Sequence, residues 1–172
     1  MQKIFHIAAK VVESRPLGET YHRLSLHAPK IASQAVPGQF LHCSPGRPEE
    51  QTTMLRRPVS LSGVGKNEGR PESLELTFHV IGAGTRLLAR RRAGQTIDCL
   101  GPLGNGFALK PKKTALLIAG GAGIAPLKWV AKELRRQEAE VFLFAGARSR
   151  RDFPFAVASG KSKNTIEEFE KM

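Results

Sequence analysis

Residues 115–126 read Ala115-Leu116-Leu117-Ile118-Ala119-Gly120-Gly121-Ala122-Gly123-Ile124-Ala125-Pro126. A continuous apolar run, three glycines within four positions and then Leu127, Val130, Ala131 and Leu134 at helical spacing predict a buried strand, a tight turn and an amphipathic helix. Pro126 fits the first turn of that helix, where its missing N–H costs nothing. Val141–Ala145 reads as a second buried strand, so a βαβ unit begins here, with parallel pairing and a right-handed crossover expected. A glycine turn in this context can cradle a pyrophosphate. Counted from Gly120, Ala125 stands where the third glycine would be, so the run is not a strict G-x-G-x-x-G. A close-packed strand–helix turn that needs no ligand also accounts for it.

Outward toward the N-terminus the character changes near Lys110–Lys113. Up to about Leu109, short strands alternate with turns, as in a small antiparallel barrel or sandwich. The expected strands are Ile4–Glu13, Tyr21–His27, Gln39–Cys43, Pro58–Leu61, Leu74–Ile81 and Thr96–Leu100. Turns are expected at Pro16-Leu17-Gly18, Pro37-Gly38, Pro45-Gly46, Gly63–Gly69 and Ala93-Gly94. One helix, Arg86–Arg92, is expected among them, with Thr85 as N-cap, Leu87 and Leu88 facing inward and Gly94 as its stop.

The 172 residues suffice for one large or two small domains with a substantial core, and their composition is that of a turn-rich globular chain. The formal net charge of +12 divides into +7 up to Lys110 and +5 beyond it, so there is no basic tail. Such a balance favours phosphate-bearing ligands or polyanions without choosing between them. Nucleic acid is not the expected partner, since one Trp and one Tyr offer little stacking platform and no groove-reading motif is present. Cys43 and Cys99 lie far apart in sequence and form neither a disulfide framework nor a C-x-x-C knuckle, so no metal site is expected. The opening MQKIFHIAAKVVE is broken by Lys3, His6 and Lys10, too polar for a signal peptide or membrane span, which makes a cytoplasmic location the default.

Three further motifs carry chemistry. In Leu55-Arg56-Arg57-Pro58-Val59-Ser60-Leu61-Ser62, Arg57 offers a fork of donors to a diphosphate and Ser60 a hydroxyl. An ordinary strand with a solvated arginine pair would read the same. Thr77-Phe78-His79-Val80-Ile81-Gly82-Ala83-Gly84-Thr85 is a strand running into a Gly-x-Gly turn that opens a helix, suited to the close approach of an anion. It is equally a plain tight turn, and the following Arg90-Arg91-Arg92 reads as a solvated helix end. Leu100-Gly101-Pro102-Leu103-Gly104-Asn105-Gly106-Phe107 has the glycine density of a backbone that turns sharply against a neighbour.

In order and spacing, RRPVSLS, FHVIGAGT, GPLGNGF and LLIAGGAGIAPL followed by FAGARSRRD resemble the ferredoxin reductase superfamily. Within it, the pattern from Ile4 to Phe155 is similar to the electron transfer subunits of class B dihydroorotate dehydrogenase. The resemblance implies an N-terminal antiparallel FAD-binding β-barrel, residues 1–110, and a partial nucleotide-binding α/β domain, residues 111–172. It implies that Arg57, Pro58, Val59 and Ser60 contact the flavin and its phosphate, and that Thr77, Phe78 and His79 line the flavin. Gly84 and Thr85 would hold the diphosphate, and Gly120, Gly121 and Gly123 would border NAD(H). Many members carry a flavin-stacking aromatic where this chain has Val59, so aliphatic packing would replace stacking.

The implied activity is electron transfer between NAD(H), FAD and an iron–sulfur or flavin partner in dihydroorotate oxidation, a step of pyrimidine biosynthesis. The implied partner is an FMN-containing catalytic subunit. No catalytic side chain is assigned, because the flavin supplies the chemistry. The family also implies a [2Fe–2S] centre, which needs four ligands, and two cysteines cannot supply them. The ending KSKNTIEEFEKM reads as truncated or diverged after Phe155. The alternatives are a reductase subunit for ferredoxin, sulfite or polysulfide chemistry, and a flavin-binding remnant without enzymatic activity.

Overall fold

The computed structural model describes residues 3–46, 55–110, 113–155, 157–159, 164–166 and 169. Six strands form a closed antiparallel barrel: β1 (Phe5–Leu17), β2 (Tyr21–His27), β3 (Phe40–Cys43), β4 (Arg57–Asn67), β5 (Arg70–His79) and β6 (Thr96–Leu103). Around the barrel the order is β1-β2-β5-β4-β3-β6. Closure removes free edges, and β1 achieves it by pairing β6 along residues 5–10 and β2 along residues 10–17, with an irregularity between Val11 and Glu13. Along β2, Leu24 and Leu26 face Leu76 and Leu74 of β5 in the interior, joined by Val11, Leu41, Leu61, Ile97 and Cys99, each under 2% exposed.

Among the described residues, two helices interrupt the strands. The four-residue α1 (Pro29–Ala32) is too short to register as a period, yet Ile31 is fully buried. The helix α2 (Ala83–Ala89) sets Leu88 into the barrel end, while Leu87 is half-buried. It starts earlier than expected. Gly82 is the N-cap, and Thr85 sits at the third helical position, its hydroxyl accepting from the backbone N–H groups of Ile81 and Gly82, 3.1 Å each. Arg90 already ends the helix, so Arg91 lies beyond it. Contrary to a solvated reading, Arg91 is 6% exposed and donates to the Pro45 carbonyl at 2.7 Å.

The expected turn over Gly63–Gly69 contracts to Glu68 and Gly69, both at positive φ, the two-residue loop of a type I′ hairpin. Gly63 and Gly65 lie inside β4. A Cβ on Gly63 would stand 3.2 Å from Glu75 Oε2, and one on Gly65 would collide with Ser73 Oγ. These glycines permit close cross-strand packing rather than a turn. In 101–106 the expected close approach is found: a Cβ on Gly104 would come within 2.9 Å of the Phe40 ring, and one on Gly106 would collide with Val36. Buried Gln39 clamps this segment, donating to Gly104 O at 2.9 Å and accepting from Val36 N–H at 3.0 Å.

Beyond the barrel, β7 (Thr114–Gly120) leads through a 3-10 turn at Gly121–Gly123 into α3 (Ile124–Arg136), and β8 (Glu140–Gly146) pairs with β7 in parallel. This is the expected βαβ unit, but among the described residues its strands are covered on one face only. Ala115, Leu117, Val141 and Leu143 turn toward α3 and its surroundings, whereas Leu116, Ile118, Phe142 and Phe144 are 60, 74, 47 and 62% exposed. The apolar runs therefore mark a half-covered sheet, not strands buried on both faces. Two short strands, β9 (Val157–Ser159) and β10 (Asn164–Ile166), pair antiparallel. Among the described residues, no helix is long and apolar enough to cross a membrane.

Candidate functional site

The end of β5, the start of β4 and the start of α2 meet at one rim of the barrel. Arg57 opens β4, and its side chain lies across Gly84: a Cβ on that buried glycine would meet Arg57 Nε at 2.5 Å and Cγ at 3.3 Å. Only a residue without a side chain lets the guanidinium settle there, so Arg57 and Gly84, 27 positions apart in sequence, form one cradle. Thr85 adds its backbone to this rim but not a free hydroxyl, since Oγ1 also donates to Gly82 O at 3.0 Å.

Strand alternation sorts the remaining predicted residues. Pro58 and Ser60 are exposed, whereas Val59 is 4% exposed and sits in the barrel core. The Val59 side chain therefore packs inside the barrel, and on the outer face of the strand it presents its peptide group. On β5, Phe78 turns into the core, and Thr77 is buried with its hydroxyl 3.2 Å from that of Ser62. His79 ends the strand half-buried, stacked on Tyr21 with ring centroids 4.6 Å apart and planes 10° from parallel.

That ring pair borders a cleft of about 570 Å³ lined by Tyr21, His79, Gly121, Ala122, Gly146, Ala147, Arg148 and Asp152. It opens at the carboxyl ends of β7 and β8, where Gly120 and Gly146 are register partners, the position at which α/β sheets take ligands. Gly121 needs its positive φ of 49°, and a Cβ there would approach the Tyr21 hydroxyl at 3.8 Å. The other glycines differ. Gly82, Gly120 and Gly123 have negative φ, and a Cβ on any of them, or on Gly146, would meet nothing within 4 Å among the described residues. Neither torsion nor internal packing calls for glycine at these positions, while close approach of a ligand to the protein backbone would.

Two contacts hold the barrel against the segment after β8. Thr20 Oγ1 donates to Arg151 O at 3.0 Å, and Arg151 Nε lies 3.4 Å from Glu19 Oε1. Burial, aided by the Asp152 carboxylate, pushes the Tyr21 phenol above its ordinary range and keeps it protonated. Gly121 thus lines the cleft, Gly120 and Gly123 flank its glycine turn, and His79 joins it to the Arg57–Gly84 rim. Tyr21, Ala122, Gly146, Ala147, Arg148 and Asp152 were not singled out from sequence. FAGARSRRD contains four of them, but nothing in its spacing marks which side chains turn toward a cleft.

The fold is the ferredoxin reductase-like one. The chain superposes with a TM-score of 0.73 on an NADH-dependent reduced ferredoxin-NADP oxidoreductase described in terms of flavin-based electron bifurcation, at 25% identity over 87% of this chain and 52% of that one. It superposes at 0.70 on the ferredoxin reductase in carbazole 1,9a-dioxygenase, with 26% identity over 87% and 44%. No protein-family model matches. More specifically, the chain is similar in sequence to the electron transfer subunits of dihydroorotate dehydrogenase B (NAD(+)). It is 38% identical to that of Desulforamulus reducens over 88% of this chain and 55% of the relative, and 33% identical to that of Bacillus pumilus over 83% and 54%. The chain spans about half the length of the curated relatives it matches.

Proposed function

We propose that the chain is a flavoprotein electron-transfer module: residues 1–110 hold FAD, and residues 111–172 contribute to the docking of NAD(H). The observation that carries this reading is the Tyr21–His79 stack, because His79 belongs to the strand that meets the Arg57–Gly84 cradle and also lines the cleft beside Gly121. A flavin site and a nicotinamide site must touch for a hydride to pass. FAD held by these residues would supply that redox chemistry, coupling hydride transfer to single-electron transfer.

The chain's own residues bind and orient. Arg57 presents guanidinium donors to the diphosphate, with Gly84 and the backbone of Thr85 completing the cradle. Exposed Ser60 offers its hydroxyl, and Pro58 keeps the outer face of β4 extended. Thr77, held by Ser62, and Phe78, in the core, fix the strand that positions His79. Gly120, Gly121 and Gly123 leave room for the dinucleotide. A [2Fe–2S] cluster does not fit these residues: Cys43 and Cys99 are the chain's two cysteines, and both are buried in the barrel core. The partner in this reading is an FMN-containing catalytic subunit oxidising dihydroorotate in the cytoplasm.

Anaerobic rapid mixing of FAD-loaded protein with NADH, followed at the flavin absorbance band, tests the reading. Loss of that band supports it. An FAD affinity indifferent to Arg57→Ala, or a flavin band unmoved by NADH, overturns it.

A further inference from the structure

The barrel rim carries a second concavity, at the far end of α2 from Gly84. A cleft of about 550 Å³ is lined by Ser14 of β1, His22 of β2 and the run Ala89-Arg90-Arg91-Arg92-Ala93. Its size is within the range of small-molecule sites, and barrel mouths are a common place for them. His22 shares a strand face with the interior Leu24 and Leu26 of β2, so it faces the barrel mouth; it is 8% exposed, and its Nε2 lies 2.9 Å from Ser14 Oγ. Arg91 is buried and bonded to the Pro45 carbonyl, which pins the turn and leaves Arg90 and Arg92 exposed on either side. Among the described residues, the lining contains no carboxylate.

We propose that this barrel-mouth cleft binds a small polyanion carrying phosphate or carboxylate groups, at a site separate from the Arg57–Gly84 cradle. Three consecutive arginines at one concavity repel one another, and an anion seated between Arg90 and Arg92 offsets that repulsion with charge-assisted hydrogen bonds. The neutral pair Ser14–His22 forms the polar wall and orients the ligand; burial lowers the tendency of His22 to take up a proton, so its role is hydrogen bonding rather than charge. Concavity favours a small ligand over an acidic protein surface, since a flat partner does not reach a wall formed by buried His22 and half-buried Ser14.

Isothermal titration of the full chain with pyrophosphate and with citrate, at ionic strength held constant with NaCl, is the test. Pyrophosphate also has access to the diphosphate cradle, so the titrations are made in an Arg57→Ala background. Saturable binding of one anion per chain is expected, weakened at least tenfold by adding Arg90→Gln and Arg92→Gln, both exposed and harmless to folding, and several-fold by adding Ser14→Ala instead. The tighter of the two anions tells a phosphate ligand from a carboxylate one. Absence of saturable binding, equal affinity in the Arg90/Arg92 variant, or tighter binding of a polyglutamate peptide than of either small anion overturns the proposal.

Discussion

The Arg57 side chain rests against Gly84 so closely that a Cβ on the glycine would stand 2.5 Å from the guanidinium Nε. Gly84→Ala therefore pushes Arg57 out of its seat without removing it. In the proposed reading each of Gly84→Ala and Arg57→Ala weakens FAD binding by about 1.5–3 kcal/mol, the range for a hydrogen bond to a charged group. Because both act on one interaction, the double variant is expected to bind little worse than either single one. Fluorescence titration of FAD into the four proteins measures this, and fully additive losses would separate the two residues.

Acid stability should turn on His22. Burial holds its proton affinity below that of an exposed histidine, so the unfolded chain binds that proton more readily than the folded one. The sign follows from linkage: the stabilising contribution is present above the unfolded value of about 6.5 and is lost as pH falls through the lower folded value. Urea unfolding at pH 7.5 and at pH 5 is expected to show a drop in stability that is smaller in His22→Gln. An identical drop in the variant would assign the acid sensitivity to other groups.

Cys43 and Cys99, 56 residues apart, are register partners on β3 and β6, with sulfurs 3.8 Å apart inside the barrel. The sequence separation that spoke against any pairing says nothing about neighbours created by barrel closure. The hydrogen bond with Cys43, followed by burial, raises Cys99 well above the ordinary thiol range. A thiol reagent at pH 8 is expected to leave both cysteines unmodified in folded protein and to label both in urea. Rapid labelling of the folded chain would contradict the closed barrel.

What was legible from sequence divides along the same line between local and non-local. The β2 and β6 strands and the β7–α3–β8 unit follow from alternation and helical spacing. Gly63 and Gly65 were read as a turn because glycine in a strand and glycine in a loop look alike until Glu75 and Ser73 are known to lie opposite. Arg91 reads as solvent-facing because its acceptor, Pro45 O, lies 46 residues away. Of the candidate site, Arg57, Gly84, His79 and Gly121 were visible as members of motifs. Tyr21 was not, since it is simply the first residue of a strand until β5 and the turn after β7 are brought against it.

Tyr21 is 3% exposed and packs with Leu17, Ala119, Ile124 and Phe155 between the barrel and the βαβ unit. Tyr21→Ala removes both the stack on His79 and this packing, a loss of roughly 3–5 kcal/mol by analogy with other buried aromatics. Tyr21→Phe keeps the ring and should cost under about 1.5 kcal/mol. Hydrogen exchange should locate the Ala effect in β7, the Gly121–Gly123 turn and α3 before the barrel opens. Uniform loosening of the whole barrel would show that Tyr21 does not mediate this contact.

The open face of β7 and β8 makes the last expectation. Leu116 is paired with Phe142 and Ile118 with Phe144, so four large apolar side chains form one exposed patch on a parallel sheet, a kind of sheet that proteins ordinarily cover on both sides. The isolated chain should therefore associate as its concentration rises. Ile118→Thr with Phe144→Thr puts a β-branched residue at each position while removing two of the four patch side chains, so it should reduce association and change stability by no more than about 0.5 kcal/mol per site, as for other surface positions. Leu117→Thr and Leu143→Thr, one residue away on the face toward α3, should instead destabilise the unit without relieving association. Sedimentation velocity over a concentration series, paired with thermal unfolding, distinguishes the two sets. Equal association of the Ile118/Phe144 variant and the parent would place the sticky surface elsewhere, and a large fall in its melting temperature would mean that this face is already packed.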